Sequence, residues 1–302
     1  MKTQLQQMSQ QVPDTASDST TLLSPVTLAV SNLQQSADFY SHLVGFAELH
    51  RTSHHAVLGI SGQPLLNLQQ AATKPPGHRT TGLYHVAILL PSRPALAQKL
   101  NHLTSAGVRI AGAADHGVSE ALYLADPEGN GIEIYADRPR DHWPMNRGQL
   151  EMGTQRLDMS GLLAEAPTRA GSPALSTHTR IGHLHLRVAD LSAAEDFYRN
   201  VLKMDLMQRF GQSASFLSYG GYHHHIGLNT WESLGAPPYP AGAPGLVEFH
   251  LRPPTQAIYH SIKTAANAAQ MDNELRLRDP SGNCVVVTAP RPIEVPAPQS
   301  DS

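Results

Sequence analysis

The sequence has almost no cysteine, no long apolar run, and no excess of charge of either sign. A single cysteine, Cys284, excludes an internal disulfide framework. No apolar stretch approaches the length that a membrane-spanning helix needs, and the N-terminus has no apolar core of a signal peptide. The 22 basic and 25 acidic residues do not cluster, which argues against nucleic-acid binding. These absences predict a cytoplasmic protein without membrane or nucleic-acid partners.

Histidine, by contrast, is abundant. There are 17 histidines among 302 residues, a density that favours metal or acid–base chemistry. The chain is long enough for two ordinary domains, each with its own core. Residues 1–20 are polar and residues 291–302 are rich in proline, so we expect both ends to be disordered tails.

The chain contains an internal repeat of the pattern βαβββ. The segments VTLAVSNLQQSADFYSHLVGF and LHLRVADLSAAEDFYRNVLKM match each other, with helix starts predicted near Asn32 and Asp190. Two weaker copies begin at Gly82 and Gly245 and end in the hairpins LADPEGNGIEIYA and LRDPSGNCVVVTA. The predicted modules are residues 24–70, 81–137, 180–230 and 244–290. In sequence order they form two pairs, 24–137 and 179–290, joined by a predicted linker, 138–178, with a short helix near GLLAEA.

This layout resembles the vicinal-oxygen-chelate superfamily, which includes glyoxalase I, bleomycin-resistance proteins and type I extradiol dioxygenases. The resemblance covers nearly all of the chain between the tails. It implies an α+β fold in which four βαβββ modules form two curved-sheet cups, each from two modules, with a metal inside a cup.

Strand alternation identifies three side chains as candidate metal ligands. In LYHVAIL, Val86 and Ile88 form the packing set, so His85 points to the opposite face. The same alternation turns Glu133 and His183 away from their apolar neighbours. A buried carboxylate needs a charged partner or a metal, and two histidines with one carboxylate are typical of non-haem Fe(II) sites. The corresponding positions of the first module, Pro25 and Asn67, are poorer ligands.

The pairing of the modules decides whether these ligands meet, and two arrangements are open. If neighbours in sequence pair, His85 and Glu133 share one cup while His183 lies in the other with Glu248. If the second and third modules pair, all three ligands converge, and the first and fourth modules form a cup without metal. We favour the second arrangement because it unites the good ligands.

The stretch from Ala114 to Glu133 resembles the signature of the type I extradiol dioxygenases. It reads Ala114, Asp115, His116, GVSEA, Leu122, Tyr123, LA, Asp126, Pro127, Glu128, Gly129, NGI, Glu133. The first position departs from the usual set but is still small. The resemblance implies that Glu133 and His85 bind the metal, and that His116 and Tyr123 hydrogen-bond the substrate and oxygen.

Two functional positions of the family have no counterpart in the first module. The family's first metal histidine corresponds to Pro25, so His183 is the candidate replacement. The family's acid–base histidine corresponds to the run at residues 223–225. We place it at His224 by alignment of the following Ile-Gly-Leu. His225 is the alternative by strand alternation, and His223 is the third choice.

The resemblance implies an Fe(II)-dependent dioxygenase that cleaves a catechol-type aromatic diol with O2. Two other functions remain open: a glyoxalase-like isomerase or lyase that uses Mn, Ni or Zn, and a drug-resistance type protein that only binds a small molecule. The open edges of such sheets also favour a homo-oligomer. The ring substrate is not predicted.

Overall fold

The computed structural model describes residues 22–75, 77, 79–166, 174–267 and 274–290. The two predicted tails lie outside these residues. The strands of the described part are β1 (Leu23–Val30), β2 (Ala47–Arg51), β3 (His55–Ile60), β4 (Gln63–Gln70), β5 (Gly82–Leu90), β6 (Gly112–Asp115), β7 (Ser119–Ala125), β8 (Gly131–Asp137), β9 (Met145–Asn146), β10 (Gln149–Leu150), β11 (Gln155–Arg156), β12 (Arg180–Arg187), β13 (Asp205–Phe210), β14 (Ala214–Ser218), β15 (Ile226–Asn229), β16 (Gly245–Leu251), β17 (Glu274–Arg278) and β18 (Cys284–Thr288). The α-helices are α1 (Leu33–Asp38), α2 (Arg93–Ser105), α3 (Met159–Ala164), α4 (Leu191–Asp196) and α5 (Gln256–Ala265).

Two large mixed sheets carry the fold, and each combines strands from both halves of the chain. A nine-stranded sheet has the order β11-β6-β7-β8-β5-β12-β15-β14-β13, and a seven-stranded sheet has the order β17-β18-β16-β1-β4-β3-β2. Strand β5 pairs antiparallel with β12, and β1 pairs antiparallel with β16. The second and third modules therefore share one sheet, and the first and fourth share the other. The predicted α+β class is confirmed.

The helices begin where side chains cap them and then pack on one face of each sheet. The side chains of Asn32 and Asp190 accept hydrogen bonds from backbone N–H groups in the first turns of α1 and α4. In the second module, Val86 and Ile88 of β5 lie in the main core together with Leu96 of α2. This packing leaves the opposite face of the nine-stranded sheet, where His85 lies, free to line a cavity.

The predicted linker also contributes to the nine-stranded sheet. Within the described part of 138–178, a 3₁₀ turn at Arg140–His142 is followed by β9, β10, β11 and the short helix α3. Strand β11 extends the sheet at its edge by pairing with β6. The fourth module shows two strands after its helix where three were predicted; residues 268–273 of that module lie outside the described part.

Candidate metal centre

Three neighbouring strands bring His85, Glu133 and His183 together. In the parallel pairing of β5 with β8, Ala87 lies opposite Glu133, and in the antiparallel pairing of β5 with β12, Ala87 lies opposite His183. His85 is two residues before Ala87 and therefore points to the same face. The fully buried Ala87, which carries only a methyl group, leaves room for the three longer side chains.

The ligand atoms of these residues converge on one point. His85 Nε2 lies 3.0 Å from Glu133 Oε2, His183 Nε2 lies 3.3 Å from the same oxygen, and the two nitrogens are 3.2 Å apart. Ligand atoms about 2.1 Å from one ion and at right angles to each other would lie about 3 Å apart. Two nitrogens and one oxygen on one side are also the donor set of mononuclear non-haem iron. The geometry therefore fits a divalent metal.

Burial and charge hold Glu133 and His183 in the protonation states that bind metals. Burial alone would raise the pKa of Glu133, but the neighbouring His183 and His85 outweigh it and hold this pKa well below the usual range. Burial lowers the pKa of His183 to about 4, against the opposing pull of Glu133. A carboxylate and a neutral imidazole are the forms that coordinate metals.

His116 and Tyr123 form a hydrogen-bonded pair beside this cluster. Tyr123 of β7 lies opposite Glu133 of β8, and its hydroxyl is 2.7 Å from His116 Nε2. His116 Nδ1 is 2.8 Å from the carbonyl oxygen of Gly153, which can only accept, so Nδ1 carries the proton. In the neutral ring, Tyr123 then donates to Nε2. Burial, followed by the charge of Glu133, raises the pKa of Tyr123, so its hydroxyl stays protonated.

The three consecutive histidines before β15 have different surroundings. His224 lines the cavity, and its ring centroid is 4.1 Å from that of His183. Burial, and then the nearby His183, lower its pKa well below the usual value. His225 points elsewhere, because its Nδ1 accepts a hydrogen bond from the backbone N–H of Tyr219. Alternation does not extend to this run, since β15 begins only at Ile226.

An aromatic wall borders a cavity of about 510 Å³ next to the candidate metal centre. The ring of His185 is its centre: it lies 5.2 Å from Tyr84, 5.8 Å from Phe216 and 5.3 Å from Trp231, measured between centroids. Trp231 is about half exposed and stands at the mouth. His185 and Arg187 both line the cavity, as alternation on β12 predicts.

Gly227 occupies the position on β15 that corresponds to Glu133 on β8. A Cβ atom added to Gly227 would lie 2.9–3.1 Å from the ring of His185. A side chain at this position would therefore collide with the aromatic wall. The site has no room there for a fourth protein ligand.

Several cavity residues carry no sequence pattern that marks them as functional. Met152, Gly153 and Thr154 come from the predicted linker, and Gln208 comes from β13. The side chain of Gln208 ties the linker to the sheet, because its oxygen accepts from Met152 N at 2.6 Å and its amide donates to Met152 O at 3.0 Å. The linker reaches the site because its strand β11 pairs with β6 at the edge of the sheet.

The seven-stranded sheet has no comparable cluster in the described ranges. Its acidic candidate, Glu248, accepts a hydrogen bond from Arg276 and lies 3.8 Å from His250. The arginine supplies the positive charge that a metal would otherwise supply. The nine-stranded sheet therefore carries the three converging candidate ligands, whereas the seven-stranded sheet carries an ion pair at Glu248.

The sequence of this chain is similar to those of known enzymes. The profile of the Glyoxalase/Bleomycin resistance protein/Dioxygenase superfamily matches residues 22–134 and 180–251. A catechol-2,3-dioxygenase from Bacillus subtilis (strain 168) is 43% identical over 263 residues, which are 84% of this chain and 92% of that protein.

Solved structures with the same fold are more distant in sequence. A Bacillus subtilis protein with a proposed dioxygenase assignment superposes with a TM-score of 0.59 at 13% identity, covering 90% of this chain and 86% of that one. Glyoxalase I from Zea mays superposes with a TM-score of 0.53 at 16% identity, covering 89% of this chain and 92% of that one. Among the described residues, every helix is too short or too polar to cross a lipid bilayer.

Proposed function

Because the chain belongs to the Glyoxalase/Bleomycin resistance protein/Dioxygenase superfamily, we propose that it is an Fe(II)-dependent extradiol dioxygenase that cleaves an aromatic diol with O2. The observation that carries the proposal is the convergence of His85, Glu133 and His183 beside the pair His116–Tyr123. His85, Glu133 and His183 would hold the iron. Bound Fe(II) would supply open coordination positions and the electron-transfer chemistry that cleavage by O2 requires.

The remaining residues of the site would act on the substrate's oxygens and its ring. His224 is neutral and lines the cavity, so it would accept a proton from a substrate hydroxyl and return it during ring opening. The hydroxyl of Tyr123, whose proton is held by His116, would accept a hydrogen bond from a substrate hydroxyl. The aromatic wall around His185 would bind the ring and exclude water.

The cavity favours a diol that carries a further substituent. Its volume of about 510 Å³ is that of a pocket for a larger ligand than a bare benzene ring. Near its mouth, the Nε of Arg187 is buried without a hydrogen-bond partner in the described part of the chain, and its Nη1 lies 3.7 Å from the exposed Glu232. This guanidinium would accommodate a polar or anionic end of the substrate.

The two other predicted functions receive less support from the site. An isomerase or lyase with a fourth protein ligand would need a side chain at Gly227, where the ring of His185 leaves no space. A protein that only sequesters a ligand would not need Glu133 buried between two histidines at 3.0 and 3.3 Å.

Ring cleavage by the iron-loaded enzyme tests the proposal. Protein prepared without oxygen and supplied with Fe(II) should consume O2 with catechol or a substituted catechol and form a coloured semialdehyde. Glu133→Gln should lose both stoichiometric iron and activity. Glu248→Gln is the matched control, because Glu248 faces the other cup, and it should retain both. Absence of O2 uptake with every diol of a panel, or full iron binding by Glu133→Gln, would overturn the proposal.

A further inference from the structure

A carboxylate and a second histidine lie directly behind His224. His223 is completely buried, and its Nδ1 is 2.8 Å from His224 Nδ1. On its other side, His223 Nε2 is 2.9 Å from Asp137 Oδ1. Asp137, His223 and His224 therefore form one continuous chain of hydrogen bonds that ends in the cavity.

The strand that supplies a metal ligand also supplies the far end of this chain. Asp137 is the last residue of β8 and is four residues after Glu133, so alternation places both on the same face of the sheet. Between them, on that face, lies Tyr135. A single strand, β8, therefore fixes the distance between the candidate ligand Glu133 and Asp137.

Two tyrosines hold the carboxylate of Asp137 in place. The hydroxyl of Tyr222 donates to Asp137, with distances of 3.0 and 3.2 Å to the two oxygens. The hydroxyl of Tyr135 lies 2.8 Å from that of Tyr222 and can donate to it. Tyr135 itself rests on Gly182 of β12, where an added Cβ would lie 1.9 Å from the tyrosine hydroxyl. The second and third modules therefore both fix this network.

The carboxylate sets the direction of every hydrogen bond in the chain. A carboxylate can only accept, so His223 Nε2 carries a proton. With one proton on each imidazole, His223 Nδ1 must then accept the proton of His224 Nδ1. The ring nitrogen of His224 that is left without a proton is Nε2. A carboxylate that selects the tautomer of a catalytic histidine in this way is a recurrent arrangement in enzymes.

We propose that Asp137 and His223 are positioning residues that hold His224 in the Nδ1–H tautomer, with Nε2 as its proton acceptor. Neither residue needs to touch the substrate. The importance of this tautomer for turnover rests on the proposed function, because only there does His224 accept a proton from the diol. The tautomer itself follows from the hydrogen bonds alone.

Nitrogen-15 NMR of the full-length protein tests the tautomer without turnover. Histidine labelled with ¹⁵N would be measured with diamagnetic Zn²⁺ added in place of iron, and the resonances of His224 would be assigned with His224→Gln. We expect the Nδ1–H tautomer in the wild type. In Asp137→Asn, the amide can donate to His223 Nε2, which reverses both histidine bonds, so the population of the Nε2–H tautomer of His224 should rise.

Kinetics then connect the tautomer with catalysis. Asp137→Asn should lower kcat for ring cleavage by on the order of tenfold or more, with iron content and KM for the diol unchanged. The exposed Asp141 offers a matched control, and Asp141→Asn should change neither the tautomer nor kcat. An Nε2–H tautomer in the wild type, or an Asp137→Asn variant with wild-type tautomer and kcat, would refute the positioning role. A protein with the expected tautomers but without ring cleavage would support this role and refute the proposed function.

Discussion

Glu133 and Lys99 are both buried, and their surroundings move their pKa values for different reasons. Burial opposes ionisation of Glu133, but two histidines overcome this effect and keep the carboxylate charged. Lys99 is 5% exposed, and its Nζ donates to the carbonyl oxygen of Val44 at 2.7 Å. Burial lowers the pKa of Lys99 to about 8. Burial is thus overcome at Glu133, whereas at Lys99 it disfavours the charged form and costs stability.

This cost predicts how stability depends on pH. Between about pH 8 and the ordinary value of 10.5, the unfolded state binds more protons than the folded state, so the free energy of unfolding should rise with pH. The titration of Lys99 alone should raise the free energy of unfolding by about 2 kcal/mol between pH 7.5 and pH 9.5. The free energy of unfolding of Lys99→Met, measured by chemical denaturation at both pH values, should not show this increase.

Lys74→Met is the matched control for this measurement. Lys74 also donates to a backbone carbonyl, that of Ala241 at 3.0 Å, but it is exposed. Its removal should leave the pH dependence of the wild type unchanged. An equal pH dependence in the wild type and in Lys99→Met would show that burial does not shift the pKa of Lys99.

At the scale of single elements, the turn between β7 and β8 does more than reverse the chain. Its Asp126 is buried, accepts from the backbone N–H groups of Glu128 and Asn130, and accepts from the hydroxyl of Tyr40 in the first module at 2.9 Å. The turn before β18 repeats this arrangement, with Tyr198 donating to the buried Asp279. Each turn thus ties its module to the helical segment of the preceding one.

The same turn also supports the start of α1. Glu128 accepts from the backbone N–H groups of Ser31 and Asn32 and from the hydroxyl of Ser31, at 2.6 to 3.1 Å. Glu128→Ala should therefore lower the free energy of unfolding by about 1–2 kcal/mol, while metal content should not change. Urea denaturation with parallel metal analysis measures both.

Removal of an acidic side chain elsewhere on the surface controls for charge. Glu151 is exposed on the loop after β10, and Glu151→Ala should leave the free energy of unfolding within experimental error of the wild type. If Glu128→Ala is as stable as Glu151→Ala, the contact between the turn and α1 contributes nothing to stability.

At the scale of the whole molecule, strand pairing and turn contacts join different pairs of modules. The sheets join the second module to the third and the first to the fourth. The turns described above instead join modules that are neighbours in sequence. Each half of the chain, residues 1–166 or 174–302, therefore contains one strand of each central pair, β5 with β12 and β1 with β16.

This interlocking predicts that neither half of the chain can form the candidate metal site alone. Residues 1–166 contain His85 and Glu133 but not His183, and their separate expression exposes the edges of β1 and β5. We expect this half to bind Fe(II) far more weakly than the full chain, and co-expression with residues 174–302 to restore binding. Metal analysis of the purified species measures this. A monomeric N-terminal half with the iron affinity of the full chain would contradict the prediction.

Local sequence patterns were sufficient to predict much of the fold and candidate site. The repeats predict the modules, and alternation on β5, β8 and β12 predicts that His85, Glu133 and His183 share a face, because side-chain direction in a strand depends only on its near neighbours. Alternation did not identify Asp137 as a functional residue, although Asp137 lies on the same face of β8. At the end of a strand, alternation does not reveal which partner a side chain meets.

Sequence alone determined the modules, their helix caps and the inward direction of the candidate ligands, since each depends on interactions within a few residues. Only the tertiary structure decided that β5 pairs with β12, that His224 rather than His225 lines the cavity, and that part of the linker lines it as well. These features depend on contacts between residues far apart in the chain. Their free energies are set by the packing of whole sheets, which no local pattern encodes.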